Sequence, residues 1–478
     1  MYIGFDIGTT GLKGVVMDDA QRILASATEG YDVSRPHDGW SEQDPALWIN
    51  ALKGVLVRMG ETVDLSGVKG IGLSGQMHGA TLVGDDGQLR PCILWNDTRS
   101  EREAKRLDAD PEFRAINGNI VFPGFTAPKL AWVRAHEPEL FEATRHVLLP
   151  KDYVRQYLTG ELASDMSDAA GTSWLDTEAR DWSDVLLEKT GLSRSQMPRL
   201  VEGSEVSGGL RAEVAAEFGL TPGIAVAGGA GDNAASAVGV GVTQPGEAFV
   251  SLGTSGVLFA ATEGYAPAPD TAVHTFCHAL PGAWHQMGVI LAATDALNWW
   301  AGISETTAEA LTSGLGALEA PGETVFLPYL GGERTPLNDA RIRGCFAGLG
   351  HASDRAALTR AVLEGVSFAL RDCQLALRAT GTELQRLIAV GGGSRSEYWL
   401  SAIATALDMA VEVPAAGDFG AAFGAARLGL MAAEGSGAEV AQAPEISRVI
   451  EPDASLVPAF DEGFAQYVML RDAIGELS

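Results

Sequence analysis

A short motif occurs twice in this sequence, and the repeat constrains the fold more than any other feature. Phe5-Asp-Ile-Gly-Thr-Thr-Gly11 lines up with Val250-Ser-Leu-Gly-Thr-Ser-Gly256, and each copy lies between two apolar segments. An apolar strand, a turn of small residues and a second apolar strand form the pattern of a β-hairpin. The copies lie about half the chain apart, which indicates two related domains rather than a solenoid.

The segment between the two copies contains a candidate domain boundary. Thr-Gln-Pro-Gly interrupts the apolar pattern at 243–246, so we predict domains over 1–243 and 244–478. Apolar periodicity predicts helices over 47–60, 101–116, 126–136 and 355–379, and buried strands over 70–74 and 387–391.

Composition narrows the classes of function. The formal net charge is −28, from 34 basic and 62 acidic side chains, which argues against a general nucleic-acid or anionic-membrane binder. It still permits a small anionic ligand held by backbone amides. Residues 223–242 are apolar but carry Asp232 near their centre, which predicts a strand, a glycine-rich turn and a helix rather than a membrane span.

The cysteines and the N-terminus bear on the compartment. The four cysteines are widely separated and form no Cys-x-x-Cys pair, so the pattern predicts neither a zinc site nor a disulfide framework. The first residues have no basic region and carry a charge at Asp6, so they do not resemble a secretory signal. We therefore expect a reduced, cytoplasmic protein.

The two hairpin tips are candidate phosphate-binding loops. Tips without bulky side chains let backbone N–H groups approach an anion, and Thr or Ser hydroxyls add donors. Either tip alone reads as an ordinary turn. Their duplication at the ends of apolar strands favours phosphate binding.

Two acidic residues stand in positions that call for an explanation. Asp6 lies within an apolar strand, where a buried carboxylate needs a partner, either an Arg or a divalent metal such as Mg²⁺. Asp232 follows Gly228-Gly-Ala-Gly231. It is either the N-cap of the next helix or a base at the end of a strand, and position alone leaves both open.

Two further loops follow buried strands. Gly391-Gly392-Gly393 permits close approach of a ligand or simple strand–helix packing, and Ser394-Arg-Ser-Glu397 has the spacing of a helix capping box. Met77-His78 follows the strand at 70–74. His78 is either structural or a contact to a substrate hydroxyl.

Together these features resemble the FGGY carbohydrate kinases of the actin/Hsp70/sugar-kinase superfamily. The opening motif resembles the first phosphate loop of that family, Gly253-Thr254-Ser255-Gly256 its second, and Gly391–Gly393 its adenosine loop. Residues 124–133 fit the first family signature. Residues 344–364 nearly fit the second, except that Ala357 stands where a polar residue is usual.

Within the family the chain is most similar to the bacterial xylulokinases, on the strings at 34–45, 75–80, 94–97, 149–153, 164–171 and 231–233. Glycerol kinases have Arg-Glu in place of Met77-His78. The resemblance implies ATP-dependent phosphorylation of D-xylulose at its C5 hydroxyl. Alternatives are a kinase for ribulose, fuculose or 1-deoxyxylulose, a chaperone-like ATPase, and a non-enzymatic sugar-sensing regulator.

The resemblance also implies a fold and a set of site residues. The fold is α/β, with two RNase H-like domains and a cleft between them. Asp232 is implied as the base and Asp6 as a metal-linked carboxylate, both near Mg²⁺, and Met77, His78 and Asn233 as sugar contacts. The implied ATP contacts are Gly8, Thr9, Thr10, Lys13, Gly253, Thr254, Ser255, Gly391, Gly392, Gly393 and Glu397. The expected partners are D-xylulose and ATP, without nucleic acid or membrane, and a homodimer stays open.

Overall fold

The computed structural model describes residues 1–415 and 419–476, which cluster into two compact units. The first comprises Met1–Thr243, Phe276–Trp284 and Asp418–Ala443, and the second Gln244–Thr275, His285–Gly417 and Pro444–Ser478. The first unit thus combines the N-terminal half of the chain with two segments from the C-terminal half. The assignment of 1–243 and 244–478 to separate domains stays a prediction.

The described residues contain many short strands. In chain order they are β1 (Tyr2–Ile7), β2 (Gly11–Met17), β3 (Ile23–Gly30), β4 (Glu42–Gln43), β5 (Gly70–Gly75), β6 (Thr81–Gly84), β7 (Gly87–Gln88), β8 (Cys92–Ile93), β9 (His146–Leu148), β10 (Ala163–Asp165), β11 (Leu175–Asp176), β12 (Asp181–Trp182), β13 (Arg199–Val201), β14 (Val206–Gly209), β15 (Ala225–Ala227), β16 (Ala230–Gly231), β17 (Glu247–Leu252), β18 (Gly256–Thr262), β19 (His274–Cys277), β20 (Trp284–Ile290), β21 (Val325–Leu327), β22 (Cys345–Ala347), β23 (Arg386–Val390), β24 (Val411–Pro414) and β25 (Ile446–Ile450).

Helices lie between groups of these strands along the chain. They are α1 (Pro45–Gly60), α2 (Glu101–Asp108), α3 (Pro111–Asn117), α4 (Thr126–His136), α5 (Pro138–Ala143), α6 (Pro150–Thr159), α7 (Met166–Ala169), α8 (Asp184–Thr190), α9 (Ala212–Phe218), α10 (Asp232–Val240), α11 (Thr294–Ile303), α12 (Ala308–Ser313), α13 (Arg355–Arg378), α14 (Glu397–Leu407), α15 (Ala421–Glu434) and α16 (Val457–Gly475). No helix among the described residues is both long and apolar enough to cross a bilayer.

Each unit is built on a seven-stranded sheet, and the two sheets share one plan. The first has the order β14-β15-β5-β1-β2-β3, with β16 also beside β5, and the second has β19-β20-β18-β17-β23-β24-β25. The hairpins β1–β2 and β17–β18 are antiparallel, while β1, β5 and β15 run parallel, as do β17, β23 and β24. The duplicated plan confirms the predicted α/β class with two related halves.

Helix α15 comes from the C-terminal half of the sequence, yet it packs against the first sheet. A Cβ atom on Gly4 would lie 1.9 Å from the carbonyl oxygen of Ala422, and one on Gly72 would lie 1.8 Å from that of Ala425. Real side chains do not fit at such distances. The glycines in β1 and β5 therefore let the helix backbone rest directly on the sheet.

Most predicted elements are confirmed, and one is wrong. The predicted helix over 101–116 is two helices, α2 and α3. Asp110 caps α3 by accepting a hydrogen bond from Glu112 N at 3.1 Å, and Pro111 occupies its first turn. Because proline lacks an N–H group, it starts a helix more readily than it continues one. The segment 223–242 forms β15, β16 and α10, as predicted.

Candidate active site

Asp232 is the first residue of α10, directly after β16. The N-cap residue of this helix is Gly231, and no side chain makes a capping hydrogen bond there. The prediction of Asp232 as the N-cap is therefore wrong. The Oδ1 atom of Asp232 instead accepts hydrogen bonds from Asn233 N at 2.8 Å and Asn233 Nδ2 at 3.0 Å. Burial and, next, the negative charge of Asp6 raise the pKa of Asp232 from 3.8 to about 6.

Asp6 lies near the end of β1 and belongs to the same unit as Asp232. Its Oδ1 accepts a hydrogen bond from Ser74 Oγ at 2.9 Å, and it faces Lys13 across the hairpin register. Two carboxylates that repel each other form an oxygen donor set that suits a hard divalent cation. The described residues contain no group of three or more His, Cys, Asp or Glu side chains that could hold a metal ion, so Mg²⁺ here would complete its shell with water and phosphate oxygens.

The first hairpin tip is held through its carbonyl groups. Gly8 O accepts from Tyr31 Oη at 2.7 Å, and Thr9 O accepts from Gln43 Nε2 at 2.6 Å. Within residues 1–415 and 419–476, the amide groups of Thr9 and Thr10 donate to no other backbone carbonyl outside regular strands and helices. A tip with engaged carbonyls and available amides is suited to bind an anion.

The hydroxyl of Thr9 extends this arrangement. Thr9 Oγ1 donates to Gln76 Oε1 at 3.3 Å and accepts from Trp95 Nε1 at 2.9 Å. Sequence reasoning assigned no role to Gln43 or Gln76, although both lie within strings that carried the family resemblance. Their contacts are long-range, and nothing in the local pattern predicts them.

Met77 and His78 follow β5 and contact the same glycine. Gly171 lies against both, since a Cβ atom on it would come within 2.4 Å of His78 Cε1 and 2.9 Å of Met77 Cε. His78 Nδ1 lies 2.6 Å from Gly171 O. Because a carbonyl oxygen only accepts, Nδ1 is the donor in this contact. The ring stacks on Phe125 at 4.4 Å.

The backbone at His78 is held in an uncommon conformation. Its φ is +68°, in the left-handed region. Lys129 Nζ, fully buried, donates to the carbonyl oxygen of His78 at 2.8 Å and to that of Gly124 at 2.6 Å. Burial lowers the pKa of Lys129 to about 7. A buried amine whose hydrogen bonds fix the strained residue makes Lys129 part of the candidate site, which sequence reasoning missed.

The second hairpin tip lies in the second unit and is held by the start of α11. Gly253 O accepts from Thr294 N at 2.9 Å and from Thr294 Oγ1 at 2.7 Å. Thr254 O accepts from Ala293 N at 2.8 Å. As in the first tip, the carbonyl groups are engaged by neighbouring residues, and Ser255 lies at the hairpin end with an exposed side chain.

A cavity of about 1050 Å³ lies in the second unit, between α11, α12 and α14. Its lining includes three predicted contact residues, Gly392, Gly393 and Glu397. Gly393 lacks room for a side chain, because a Cβ atom would lie 2.7 Å from Leu252 Cβ. Gly391 stands outside the lining residues and has a φ of +89°, which glycine adopts readily. The volume accommodates a nucleotide.

The predicted capping box at Ser394–Glu397 is wrong. Helix α14 begins at Glu397, and its cap is Ser396, whose Oγ accepts a hydrogen bond from Trp399 N at 3.3 Å. Ser394 donates to Gly391 O at 2.7 Å and belongs to a 3₁₀ turn. The turn extends the glycine loop by one helical turn, so the cap falls two residues later than predicted.

The structure thus sorts the predicted residues by unit. The first unit contains Asp6, Gly8, Thr9, Thr10, Lys13, Met77, His78, Asp232 and Asn233, and the second contains Gly253, Thr254, Ser255, Gly391, Gly392, Gly393 and Glu397. The acceptor-binding candidates therefore belong to one unit and the adenosine-loop candidates to the other.

Comparison with known proteins places this geometry in a family. The FGGY family of carbohydrate kinases, N-terminal domain, matches residues 1–239, and its C-terminal domain matches 248–433. A xylulose kinase of Escherichia coli K12 is 50% identical over 439 residues, which cover 91% of this chain and 90% of the relative.

The solved structures to which the chain is similar are also titled as kinases. A structure titled as a xyloylose kinase from Brucella ovis is 60% identical, has a TM-score of 0.98 and covers 100% of both chains. A gluconate kinase from Lactobacillus acidophilus is 25% identical with a TM-score of 0.93, covering 100% of this chain and 99% of that one. With two family domains matched in sequence order and relatives aligned over nine tenths of its length, the chain belongs to the FGGY family of carbohydrate kinases.

Proposed function

We propose that this kinase transfers the γ-phosphate of ATP to the C5 hydroxyl of D-xylulose, giving D-xylulose 5-phosphate and ADP. The observation that carries the proposal is Asp232, a carboxylate with a raised pKa at the end of a strand, in a chain half identical to a xylulose kinase. Residues of the two units would supply the parts that such a transfer requires.

Asp232 acts as the general base. With a pKa of about 6 it is ionised at neutral pH, yet it binds a proton more strongly than an ordinary Asp does. Asn233 donates twice to Oδ1, which fixes the carboxylate and leaves Oδ2 outside these two bonds. Oδ2 takes the proton of the C5 hydroxyl as its oxygen attacks the γ-phosphorus.

The sugar is recognised beside this base. His78 Nε2 accepts a hydrogen bond from a hydroxyl of the sugar, since Nδ1 is engaged by Gly171. Met77, only 7% exposed, provides an apolar wall, and Asn233 completes the polar contacts. Lys129 holds the carbonyl of His78, so the imidazole is pre-organised before the sugar binds.

The nucleotide is bound by the glycine loops. In the second unit, adenosine occupies the cavity lined by Gly392 and Gly393, and the tip at Gly253–Ser255 contacts phosphate. In the first unit, the amides of Thr9 and Thr10 bind phosphate, and Lys13 adds positive charge. Asp6 and, directly or through water, Asp232 would hold Mg²⁺, which would supply positive charge to neutralise the phosphates. The four cysteines are unpaired, which suits a cytoplasmic enzyme.

The fold alone does not fix the sugar, because a gluconate kinase shares it at 25% identity. The sugar assignment is therefore the part of the proposal to test. A coupled assay should measure ADP release with D-xylulose, D-ribulose, L-fuculose, 1-deoxy-D-xylulose, gluconate and glycerol, each with ATP and MgCl₂. We expect the highest kcat/KM with D-xylulose. Background release with D-xylulose beside robust release with another acceptor would refute the assignment.

A further inference from the structure

Five charged side chains of the first unit form a cluster that no step above uses. All five side chains are fully buried, and they belong to Lys151, Asp152, Arg155, Asp165 and Asp168. Lys151 Nζ lies 2.7 Å from Asp152 Oδ1, 2.6 Å from Asp165 Oδ1 and 3.0 Å from Asp168 Oδ2. Arg155 Nη1 shares Asp152 Oδ1 at 2.7 Å.

The cluster contacts both ends of the glycine-rich loop that leads to Asp232. At one end, Arg155 Nη2 donates to Gly228 O. At the other, Ser167 Oγ accepts from Gly231 N at 3.1 Å and donates to Asp165 Oδ2 at 2.5 Å. The contacts close a ring that passes in order through Gly228, Arg155, Asp152, Lys151, Asp165, Ser167 and Gly231.

The loop needs such support. Three of its four residues, at 228, 229 and 231, are glycines, which have the greatest backbone freedom. Gly231 is also the N-cap of α10 and has no side chain with which to cap the helix. The hydroxyl of Ser167 fixes the backbone of Gly231 from outside the helix, one residue before Asp232.

The burial of these charges indicates that the cluster positions neighbouring residues rather than stabilises the fold. Desolvating several ions costs about as much free energy as their attraction returns, so buried ion clusters contribute little net stability. Burial also raises the pKa of Asp168, which favours its neutral form beside Lys151 and two other carboxylates. What the cluster does supply is one fixed geometry, because each of its groups has a charged partner.

We propose that this ring, here called the buried clamp, positions Asp232 for proton abstraction, and that Ser167 is the positioning residue through which it acts. The inference rests on the proposed role of Asp232 as the base. Its clearest perturbation is Ser167→Ala, which removes the hydroxyl that Gly231 N and Asp165 share and leaves every charge in place.

The chain offers a matched control. Ser164 is equally buried, lies three residues away in β10, and its Oγ has no hydrogen-bond partner among the described residues. Ser167→Ala removes two hydrogen bonds, and the neutral one from Gly231 N is the one that holds the loop. Its loss corresponds to about a 2- to 10-fold change. We expect Ser167→Ala to lower kcat for D-xylulose by that factor with an unchanged KM for ATP, and Ser164→Ala to leave kcat unchanged.

A double-variant cycle separates positioning from general damage. If Ser167 acts through Asp232, then Ser167→Ala should not slow the residual reaction of Asp232→Asn any further. Equal slowing by Ser167→Ala in both backgrounds, or equal effects of Ser167→Ala and Ser164→Ala, would overturn the clamp while the base role stands. An Asp232→Asn enzyme as fast as wild type would instead overturn the base role, and the clamp with it.

Discussion

Replacement of Asp232 by Asn should slow the enzyme and stabilise it at the same time. The amide keeps an oxygen that accepts from Asn233 N and Nδ2, so the local geometry is preserved. It cannot take a proton at neutral pH. Loss of general-base assistance is typically worth about 10²–10⁴-fold, and we expect kcat to fall within that range.

The gain in stability follows from the pKa of Asp232. Burial first, and then Asp6, raise it from 3.8 to about 6 in the folded state, so ionised Asp232 destabilises the fold. At about 1.4 kcal/mol for each unit of pKa, the shift amounts to about 3 kcal/mol at pH 7. Solvent screening at this partly exposed carboxylate reduces the figure. We expect Asp232→Asn to raise the free energy of unfolding by about 1–3 kcal/mol.

The gain in stability should depend on pH. Because the folded pKa is raised, the wild-type protein loses stability as pH rises from about 3.8 to about 6, and the loss is constant above that range. Urea unfolding at pH 4, 5, 6 and 7.5 should therefore show the advantage of Asp232→Asn growing up to pH 6 and then levelling off. A variant that is both less stable and nearly as active as wild type would refute the reasoning.

Three further substitutions test neighbouring assignments. Asp6→Asn should raise the Mg²⁺ concentration needed for half-maximal activity, and an unchanged Mg²⁺ titration would contradict a role through the metal. His78→Ala should raise KM for D-xylulose by about 2- to 10-fold without changing KM for ATP, because one neutral hydrogen bond is lost, whereas equal damage to both constants would indicate a structural histidine. In the buried His278, Nδ1 accepts from Leu280 N and Nε2 contacts Val242 O, and burial lowers its pKa to about 4. When the pH falls from 7.5 to 5, the wild-type protein should therefore lose about 2 kcal/mol more unfolding free energy than His278→Asn, as measured by urea unfolding. Equal losses in the two proteins would contradict this.

Much of the fold could be predicted from the sequence, because strands and turns leave local patterns of apolar and small residues. The two hairpins are marked by apolar strands and small-residue tips, and both form as predicted at β1–β2 and β17–β18. The break between α2 and α3 was also marked, by Asp110-Pro111, but periodicity across it suggested one helix. The packing of α15 against β1 and β5 was hidden, because it joins residues about 350 positions or more apart through glycine–backbone contacts.

The candidate site could likewise be predicted only in part. The sequence position of Asp232 is compatible with both a helix cap and a base, because a helix can begin at either residue of a Gly-Asp junction. Only the structure shows that Gly231 is the cap and that Asp6 lies close enough to raise the pKa of Asp232. Lys129 and Ser167 make hydrogen bonds with the backbone of distant residues, and such contacts leave no periodic trace in a single sequence.

The central claim is that phosphate passes from ATP to the C5 oxygen of D-xylulose, with Asp232 taking the proton. The most direct test is NMR of the product formed from D-xylulose labelled with ¹³C at C5, with ATP and MgCl₂. We expect phosphorus to split the labelled C5 signal with the wild-type enzyme, and the split signal to grow at least 100-fold more slowly with Asp232→Asn. An unsplit C5 signal beside ADP formation, or the same rate of splitting with both enzymes, would contradict it.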